Sequence, residues 1–408
     1  MVNPFSGKRF PFGLGSLFQR HRPAVVTSKS ALQLSSLPSI EQILERPDSL
    51  PHGCAGYFMP HPIRDEEFLV GRQKELEELE TAFNGWRNGQ TASVLVVGAQ
   101  GCGKTSLINC FLNKRAPDWN VLRCDLGVRL RDEKEVLEFF GRLLDLESPA
   151  GTVDQVVEGL LKMAPRIIVI EGGHNLLLRV IGGRKALEMF MYLVLRTRRR
   201  HFWLQSCRLL PWINMDRHAK ASRFFSHILN LEQLSEEKLR QALRLRLTKC
   251  GLDGQFHESR EDFEQGRAGG QQEEKEGAFF RGILTNSGGN FYSALYFLLL
   301  CCRYEMKTQT LLFYPPDYLD LAFVKEMDRT HLLTLAELAG HGVLSVAEHQ
   351  QIFRTTDLQS RIAFEYLEQL KLMMPAAGEK DGVDRAYDLS PIIHHSLKTV
   401  LEQINLLY

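Results

Sequence analysis

The feature that most constrains the fold of this chain is a glycine-rich turn, residues 98–105, which reads Gly-Ala-Gln-Gly-Cys-Gly-Lys-Thr. An apolar run, residues 93–97, leads straight into the turn, and residues 106–111 continue with the spacing of a helix. A strand, a tight turn and a helix in this order form one unit of a parallel α/β sheet. We therefore expect a parallel-sheet core built around this turn.

The chemistry of the turn is that of a phosphate-binding loop. Its glycines permit close approach of main-chain N–H groups to an anion, Lys104 reaches the outer phosphates, and Thr105 offers an oxygen to Mg²⁺. The pattern also occurs by chance, but the strand before it and the helix after it favour a nucleotide site. The predicted contacts of a nucleoside triphosphate are Gly98, Ala99, Gln100, Gly101, Cys102, Gly103, Lys104, Thr105 and Ser106.

A second candidate group for this site is an acid at the end of a buried strand. The run Ile167-Ile168-Val169-Ile170 is apolar on both faces and is followed by Glu171. A carboxylate at this place can complete the magnesium shell together with Thr105. The alternative is a strand-end carboxylate that faces solvent, and the four preceding apolar residues favour the metal role.

Composition divides the chain of 408 residues into four predicted parts. Residues 1–64 are a flexible arm, basic at first and then Pro-rich, and residues 65–233 are the α/β core. Residues 234–327 are a helical lid, and residues 328–408 show the order of predicted helices and strands that is typical of a winged helix. Within the lid, a segment at about 257–277 carries seven acids against three bases, which predicts a mobile loop.

The winged-helix prediction depends on the order of elements near the end of the chain. A leucine-rich helix precedes a capping box formed by Ser345 and Glu348, and Thr356 caps a third helix. The apolar runs 372–374 and 386–389 then indicate a β-hairpin. We expect a closing helix to start at Ser390-Pro391.

The charge of the third helix bears on its partner. A helix that reads the major groove of DNA should be basic. This helix carries more acids than bases, so a protein contact or an autoinhibitory role is favoured, and DNA binding is possible but not favoured. The charged residues are Asp357, Glu365 and Glu368 against Arg361 and Lys371.

With these features the chain resembles the AAA+ and signal-transduction ATPases, in particular the origin-recognition-like branch that ends in a winged helix. The resemblance is carried by Val70-Gly71-Arg72, by the phosphate loop and by the strand that ends at Glu171. It implies Mg-ATP as the ligand, with Arg72 among the nucleotide contacts. It also implies a polar sensor residue on the next strand, Ser206 or Gln205, so the implied catalytic residues are Lys104, Glu171 and Ser206.

The chain departs from that family pattern at the residue after Glu171. The family has a second acid there, which polarises the attacking water, whereas this chain has Gly172-Gly173. Asn175 or His174 could position water instead, and hydrolysis would then be slow because a neutral group is a weaker base.

Two further positions are implied by the resemblance. Tyr292 stands at about the place where the family has an arginine that contacts the γ-phosphate. Arg217 and Arg223 lie where the family has an arginine finger that a neighbouring subunit inserts, although ordinary surface arginines explain them equally well.

Charge and cysteine usage limit the surroundings in which the chain works. The formal net charge is +1, so no whole-molecule field draws the protein to nucleic acid or lipid. A local cluster at Arg196, Arg198, Arg199 and Arg200 could bind an anionic partner or be a solvated surface. Eight cysteines without a C-x-x-C pair favour a reducing, cytoplasmic setting.

The start of the chain leaves one alternative for localisation. The first forty residues contain no acidic residue, which is also typical of transit peptides. If this segment is a transit peptide, the protein is located in the mitochondrial matrix. Prolines and glycines interrupt any amphipathic helix there, so a flexible basic arm is favoured. The strongly apolar run 291–302 is shorter than the roughly 20 residues of a membrane-spanning helix and predicts a buried helix instead.

Two functions fit the sequence. The first is a slow nucleotide-driven switch, in which ATP between core and lid controls the binding of a protein partner or of further copies of the chain. The second is a non-hydrolysing module that holds ATP and binds a partner or DNA. Both use the same pocket.

Overall fold

The computed structural model describes residues 31–51, 53–145, 151–266, 270–376 and 385–407. The start of the predicted arm, residues 1–30, lies outside these ranges, as does the turn of the predicted hairpin at residues 377–384.

The described part of the predicted arm is packed against the rest of the chain, which differs from the flexible segment expected. Ile40, Ile43 and Phe58 are buried, and Tyr296 Oη donates a hydrogen bond to the carbonyl of Pro38 at 2.9 Å. Apolar side chains spaced along an irregular segment therefore hold it on the lid. Its elements are β1 (Ala31–Leu32), a 3₁₀ turn (Leu34–Ser36), α1 (Ile40–Leu44), α2 (Ala55–Phe58) and a second 3₁₀ turn (Glu66–Phe68).

The core is a five-stranded parallel sheet in the order β3-β4-β5-β2-β6, with helices on both faces. This confirms the predicted α/β class. The first half consists of α3 (Gln73–Arg87), β2 (Ser93–Gly98), α4 (Lys104–Arg115), β3 (Val121–Asp125), α5 (Glu133–Leu143) and α6 (Val153–Lys162). The second half consists of β4 (Ile167–Glu171), α7 (Lys185–Thr197), β5 (Phe202–Arg208), α8 (Leu209–Ala219) and β6 (His227–Leu231), with 3₁₀ turns at Gly173–Leu176 and Ala221–Phe224.

Strand register determines which residues meet at the carboxyl edge of this sheet. Gly98, at the end of β2, lies opposite Arg208, at the end of β5. Asp125, at the end of β3, lies opposite Glu171, at the end of β4. Because all the strands are parallel, these ends and the loops that follow them lie at one edge, where α/β sheets bind ligands.

The lid is helical with a small sheet that the sequence did not predict. Strands β7, β9 and β8 pair in that order, and β10 pairs with β1 of the N-terminal segment. The elements are α9 (Glu236–Lys249), β7 (Asp253–Phe256), α10 (Arg260–Glu264), α11 (Gln272–Ser287), α12 (Phe291–Leu300), β8 (Cys302–Glu305), β9 (Thr310–Phe313), β10 (Tyr318–Leu319) and a 3₁₀ turn (Ala322–Glu326). The predicted buried helix is α12.

The acidic segment within the lid also differs from the prediction of a mobile loop. Its described residues form α10, capped by Ser259, and the first turns of α11. Glu276 of α11 is buried and accepts hydrogen bonds from the guanidinium of Arg244, one of them at 2.6 Å. A count of charges along the chain misses this partner because it lies on another helix.

The C-terminal module, residues 328–407, follows the predicted order of three helices and a hairpin. It consists of α13 (Arg329–His341), β11 (Val343–Ser345), α14 (Val346–Phe353), α15 (Asp357–Gln369), β12 (Met373–Pro375), β13 (Ala386–Leu389) and α16 (His394–Gln403). The capping box at Ser345 and the cap at Thr356 are confirmed, and Thr356 also forms a capping box with Gln359. The last helix begins at His394 rather than at Ser390.

Among the helices of the described ranges, none combines the length and the apolar character that crossing a lipid bilayer requires.

Candidate nucleotide-binding site

The glycine-rich loop has the geometry of an anion cradle. Gly101 adopts a φ of +74°, in the left-handed region, and α4 begins at Lys104. A helix start presents unpaired main-chain N–H groups and the positive end of the helix dipole to a ligand. The loop, the strand before it and the helix after it are therefore arranged to receive phosphate groups.

Lys104 holds its ammonium group inside the loop. Its Nζ donates hydrogen bonds to the carbonyl oxygens of Gly98, at 2.9 Å, and Ala99, at 2.7 Å. Burial lowers the pKa of Lys104, and the nearby charge of Arg208 acts in the same direction. A phosphate oxygen is a stronger acceptor for this cation than a neutral carbonyl. The environment thus favours an anionic ligand.

Thr105 and Glu171 lie side by side, as a magnesium site requires. Thr105 Oγ1 donates to Glu171 Oε2 at 2.5 Å. Hydroxyl and carboxylate oxygens are the ligands that Mg²⁺ prefers, so this pair fits the ion. Bound there, Mg²⁺ would neutralise charge on the outer phosphates.

Arg123 is a partner of Glu171 that sequence reasoning missed. Its Nε donates to Glu171 Oε1 at 3.0 Å, its Nη2 contacts the same oxygen, and its Nη1 donates to Asn109 Oδ1 at 2.7 Å. Both carboxylate oxygens of Glu171 are therefore engaged. The signal in the sequence was a basic residue in the middle of the short predicted strand β3.

Asp125 is a second acid at this edge that the sequence motifs do not mark. It ends β3 opposite Glu171. Partial burial raises the pKa of Asp125, and the neighbouring negative charge of Glu171 raises it further. The signal was present in the sequence, because β3 ends in an acid just as β4 does.

The two residues predicted to position water are differently placed. The side-chain amide of Asn175 donates to the carbonyl of Leu126 at 2.5 Å, so that group is engaged with the main chain. His174 is buried, and burial holds the pKa of its imidazole well below the usual value. The geometry does not favour the predicted role for either residue.

The polar strand end beside the loop is Arg208 rather than Ser206. Ser206 lies opposite Val96, two residues before the loop begins, and is buried. Gln205 pairs with Ile170 on the other side of the strand. The sequence pattern predicts that this strand ends at Ser206, whereas β5 continues to Arg208.

Arg72 and Ser106 support the loop from outside. Arg72 Nη2 donates to the carbonyl oxygens of Cys102, at 3.3 Å, and Glu232, at 2.6 Å. Ser106 Oγ accepts a hydrogen bond from the main-chain N–H of Ile63 at 3.2 Å. Arg72 thus joins the loop to the segment that leads into the lid.

The lid touches the loop directly at the start of α12. Asn290 Nδ2 donates to the carbonyl of Gln100 at 2.5 Å. A Cβ atom added to Gly101 would lie 2.5 Å from Cβ of Tyr292, so the approach requires glycine. Tyr292, at the position of the family's γ-phosphate arginine, therefore packs on the loop itself.

A cleft beside the loop is large enough for the rest of a nucleotide. Its volume is about 300 Å³, and it is partly open to solvent. The guanidinium of Arg246 lies 4.4 Å above the ring centre of Phe291 at one wall. The other walls come from the N-terminal segment, the loop and the lid: Met59, His61, Ile63, Leu69, Val70, Arg72, Leu234, Ala242, Tyr292 and Leu295.

The C-terminal module contacts the same edge of the sheet. Gln100 Nε2 donates to Asp388 Oδ2 at 3.0 Å. Arg208 donates to Asp388 through both terminal nitrogens, each at 2.7 Å, and to the carbonyl of Gly342 at 2.8 Å. A strand residue of the C-terminal module thus binds both the phosphate loop and the neighbouring strand end.

A buried ion pair joins the same two parts of the protein. Arg129 Nε donates to Glu348 Oε1 at 2.8 Å, and both side chains are almost fully buried. The other nitrogens of Arg129 donate to main-chain carbonyls of the core and of Val343.

The remaining predicted arginines lie away from the loop. The cluster at 196–200 precedes β5 and therefore lies at the amino edge of the sheet, opposite the loop. Arg217 is in the last turn of α8, and Arg223 is in the 3₁₀ turn before β6. A role as an arginine finger stays a prediction for both.

Residues 69–173 match the family model described as the AAA ATPase domain. The matched segment contains the phosphate loop and Glu171, and the parallel sheet is that of the P-loop NTPase fold. No curated protein sequence matches the chain.

The matches among solved structures include three proteins that are each 11–12% identical to this chain, with TM-scores below 0.5. The Aeropyrum pernix ORC2 protein is 12% identical, with a TM-score of 0.43, over 82% of this chain and 93% of its own. Cdc6p from Pyrobaculum aerophilum is 11% identical, with a TM-score of 0.42, over 88% and 99%. The Thermotoga maritima RuvB Holliday junction branch migration motor is 12% identical, with a TM-score of 0.37, over 84% and 98%.

Proposed function

We propose that this protein is an ATP-binding P-loop ATPase that acts as a slow nucleotide-driven switch and controls partner binding through its lid and C-terminal module. The observation that carries the proposal is the position of Gln100. Its carbonyl accepts from Asn290 of the lid, and its side chain donates to Asp388 of the C-terminal module. One residue of the phosphate loop therefore contacts both the lid and the C-terminal module at the place where phosphates would bind.

Arg208 supplies the sensitivity to the γ-phosphate in this proposal. It lies beside the first residue of the loop and is held by Asp388. A γ-phosphate offers the guanidinium a second anionic partner, so ATP and Asp388 compete for it. A ligand shifts a conformational equilibrium only through different contacts in the two states, and this competition is such a difference.

The roles of the loop residues follow from their contacts. Lys104 binds the outer phosphates, Thr105 and Glu171 hold Mg²⁺, and Arg208 takes the sensor role first assigned to Ser206. The choice of adenine is supported by the match to the AAA ATPase domain. Arg72 supports the loop through Cys102 rather than meeting the phosphates with a free guanidinium.

A protein partner, met through a winged-helix-like C-terminal module, is supported by the surface of α15. Leu358, Ile362 and Tyr366 follow one another at a spacing of four and are 67%, 56% and 43% exposed. This spacing places them on one face of the helix. An exposed apolar stripe on the helix that would enter a DNA groove suits a protein surface better than a phosphate backbone.

The test combines calorimetry with a single-turnover assay. The wild-type chain is expected to bind Mg-ATP and to release phosphate slowly, and Lys104→Ala is expected to lose both. Hydrogen exchange of α13–α16 should become faster with ATP than with ADP. Tight binding without phosphate release over hours would support the non-hydrolysing module instead, and equal exchange with both nucleotides would contradict the switch.

A further inference from the structure

Two neighbouring strands of the core end in acidic residues at the carboxyl edge of the sheet, the edge that carries the phosphate loop. β3 ends at Asp125 and β4 ends at Glu171, and these two residues are register partners. The strands are parallel, so both carboxyl groups stand at the edge that carries the phosphate loop.

The two carboxylates differ in how far they are already engaged. Glu171 accepts hydrogen bonds from Thr105 and Arg123. Within the described ranges, no side chain donates a hydrogen bond to the Asp125 carboxylate, and the residue is accessible to solvent. Glu171 is therefore committed to holding the metal site together, whereas Asp125 can meet a water molecule.

Gly172 shows why the second acid is not at its usual place in the chain. Gly172 has a φ of +73°, and a Cβ atom added to it would lie 2.9 Å from Asp125 Oδ1 and 2.8 Å from the carbonyl oxygen of Leu126. A side chain at position 172 is therefore excluded by strain and by contact. The Asp125 carboxylate lies against the space that such a side chain would enter.

The turn that carries Asp125 is held in place by the turn after β4. The main-chain N–H of Leu126 donates to the carbonyl of Glu171 at 2.9 Å, and Asn175 Nδ2 donates to the carbonyl of Leu126 at 2.5 Å. Asn175 thus positions the acid rather than the water. A base must be held within hydrogen-bond reach of the proton it takes, and these two contacts restrict the position of Asp125.

We propose that Asp125 is the general base of ATP hydrolysis and supplies from β3 the carboxylate that the residue after Glu171 lacks. This step rests on the proposed function, because it needs ATP in the loop. The water oxygen forms a bond to the γ-phosphorus, and the bond from that phosphorus to the bridging oxygen breaks. ADP leaves with the electron pair, Asp125 accepts the proton of the water, and the proton then passes to solvent.

The experiment compares Asp125→Asn with Asp118→Asn in the full-length chain. Asp118 is exposed and precedes the opposite end of β3, so the same chemical change is made far from the loop. Asp125→Asn is expected to bind Mg-ATP as the wild type does. Its rate of phosphate release should be lower than that of the wild type by a factor of about a hundred or more. Capture of ADP with aluminium fluoride, which mimics the transferring phosphate with its in-line oxygen, should be lost. Asp118→Asn should match the wild type in all three measurements.

Magnesium titration and a second variant distinguish a general base from a metal ligand and from a residue needed for folding. If Asp125 were a metal ligand, Asp125→Asn would need more Mg²⁺ and excess Mg²⁺ would restore its rate, which would overturn the proposal. Asp125→Glu, which keeps a carboxylate, should retain more activity than Asp125→Asn, and an equal loss in both variants would indicate a structural role and overturn the proposal. The proposal would also be overturned if Asp125→Asn released phosphate at the wild-type rate, or if the wild type released none. In either case calorimetry and hydrogen exchange would still test the nucleotide switch separately.

Discussion

Arg208 and Asp388 form a two-pronged ion pair, with both terminal nitrogens of the guanidinium 2.7 Å from carboxylate oxygens. The two residues are 180 positions apart in the chain, and the pair lies beside the first residue of the phosphate loop. It therefore couples the nucleotide edge of the core to the C-terminal module.

Removal of this carboxylate should raise the affinity for ATP. In Asp388→Asn the guanidinium of Arg208 no longer has an anionic partner in the C-terminal module, so it is available to the γ-phosphate. We expect ATP to bind about tenfold more tightly and ADP to change less, because coupling energies of this kind are ~1–3 kcal/mol. Calorimetry with both nucleotides measures the difference.

The matched control for that variant is Glu337→Gln. Glu337 pairs with Arg179 at 2.9 Å, in another contact between core and C-terminal module that does not involve the loop. Its loss should leave the ratio of ATP to ADP affinity unchanged. The coupling is wrong if both variants shift that ratio equally.

Loss of the Arg123 side-chain charge should strengthen magnesium binding. Arg123 pairs with Glu171 and is partly exposed, so it competes with a cation for the same carboxylate. Removing the competition of a partly exposed ion pair should make the free energy of Mg²⁺ binding more favourable by ~1 kcal/mol. This corresponds to about a fivefold lower Mg²⁺ requirement in Arg123→Gln. Titration of Mg²⁺ against the binding of a fluorescent ATP analogue tests this, and an unchanged or higher requirement would count against it.

Acid should destabilise the C-terminal module. Burial lowers the pKa of His341 to about 3, of His349 to about 4 and of His394 to about 3, each from an ordinary value of 6.5. Below pH 6.5 these histidines bind protons in the unfolded chain but not in the folded chain. The free energy of unfolding therefore falls as the pH drops from 6.5 toward 4, whereas above pH 6.5 these histidines leave it unchanged. Each histidine contributes ~1.4 kcal/mol per pH unit in that window.

Denaturant unfolding at several pH values, followed by hydrogen exchange of α13–α16, measures this effect. His349 is held between Thr334 and Ser360, each at 2.9 Å, so His349→Gln keeps polar contacts while removing one titrating group. The variant should show a smaller loss between pH 6.5 and 5. An equal pH dependence in the variant and the wild type would contradict the assignment.

Duplex DNA should bind no more tightly than a nonspecific anion would. Arg361 of α15 is paired with Asp357 at 2.7 Å, and the exposed face of this helix carries an apolar stripe. Fluorescence anisotropy with labelled duplexes at low and physiological salt is the measurement. Submicromolar affinity that falls steeply with salt and is lost in Arg361→Gln would favour the DNA-binding alternative.

The core could be predicted because its signals are local. Residues 98–105 carry their chemistry in a single turn, and the apolar run before Glu171 identifies a buried strand without knowledge of its neighbours. Arg208 was missed because a strand's end depends on its pairing with Gly98, which the sequence does not show. Asp125 was missed because its importance depends on the register of β3 against β4.

The described parts of the acidic segment and of the N-terminal arm differ from the prediction for a related reason. Glu276 pairs with Arg244 from a separate helix, and Phe58 is buried on the lid although its own helix is only four residues long. Composition within a window cannot reveal a partner that lies outside it. The same limit applies to the contact between Gln100 and Asp388.

The Arg129–Glu348 pair has a consequence for how easily the protein opens. Removing two charges from water costs nearly as much as their attraction returns, so a buried pair adds little net adhesion between the surfaces it joins. When core and C-terminal module part, both ions regain their hydration shells and most of the lost attraction is recovered. We therefore expect the pair to favour one orientation of the core and the C-terminal module while adding little to the free energy that opposes their separation.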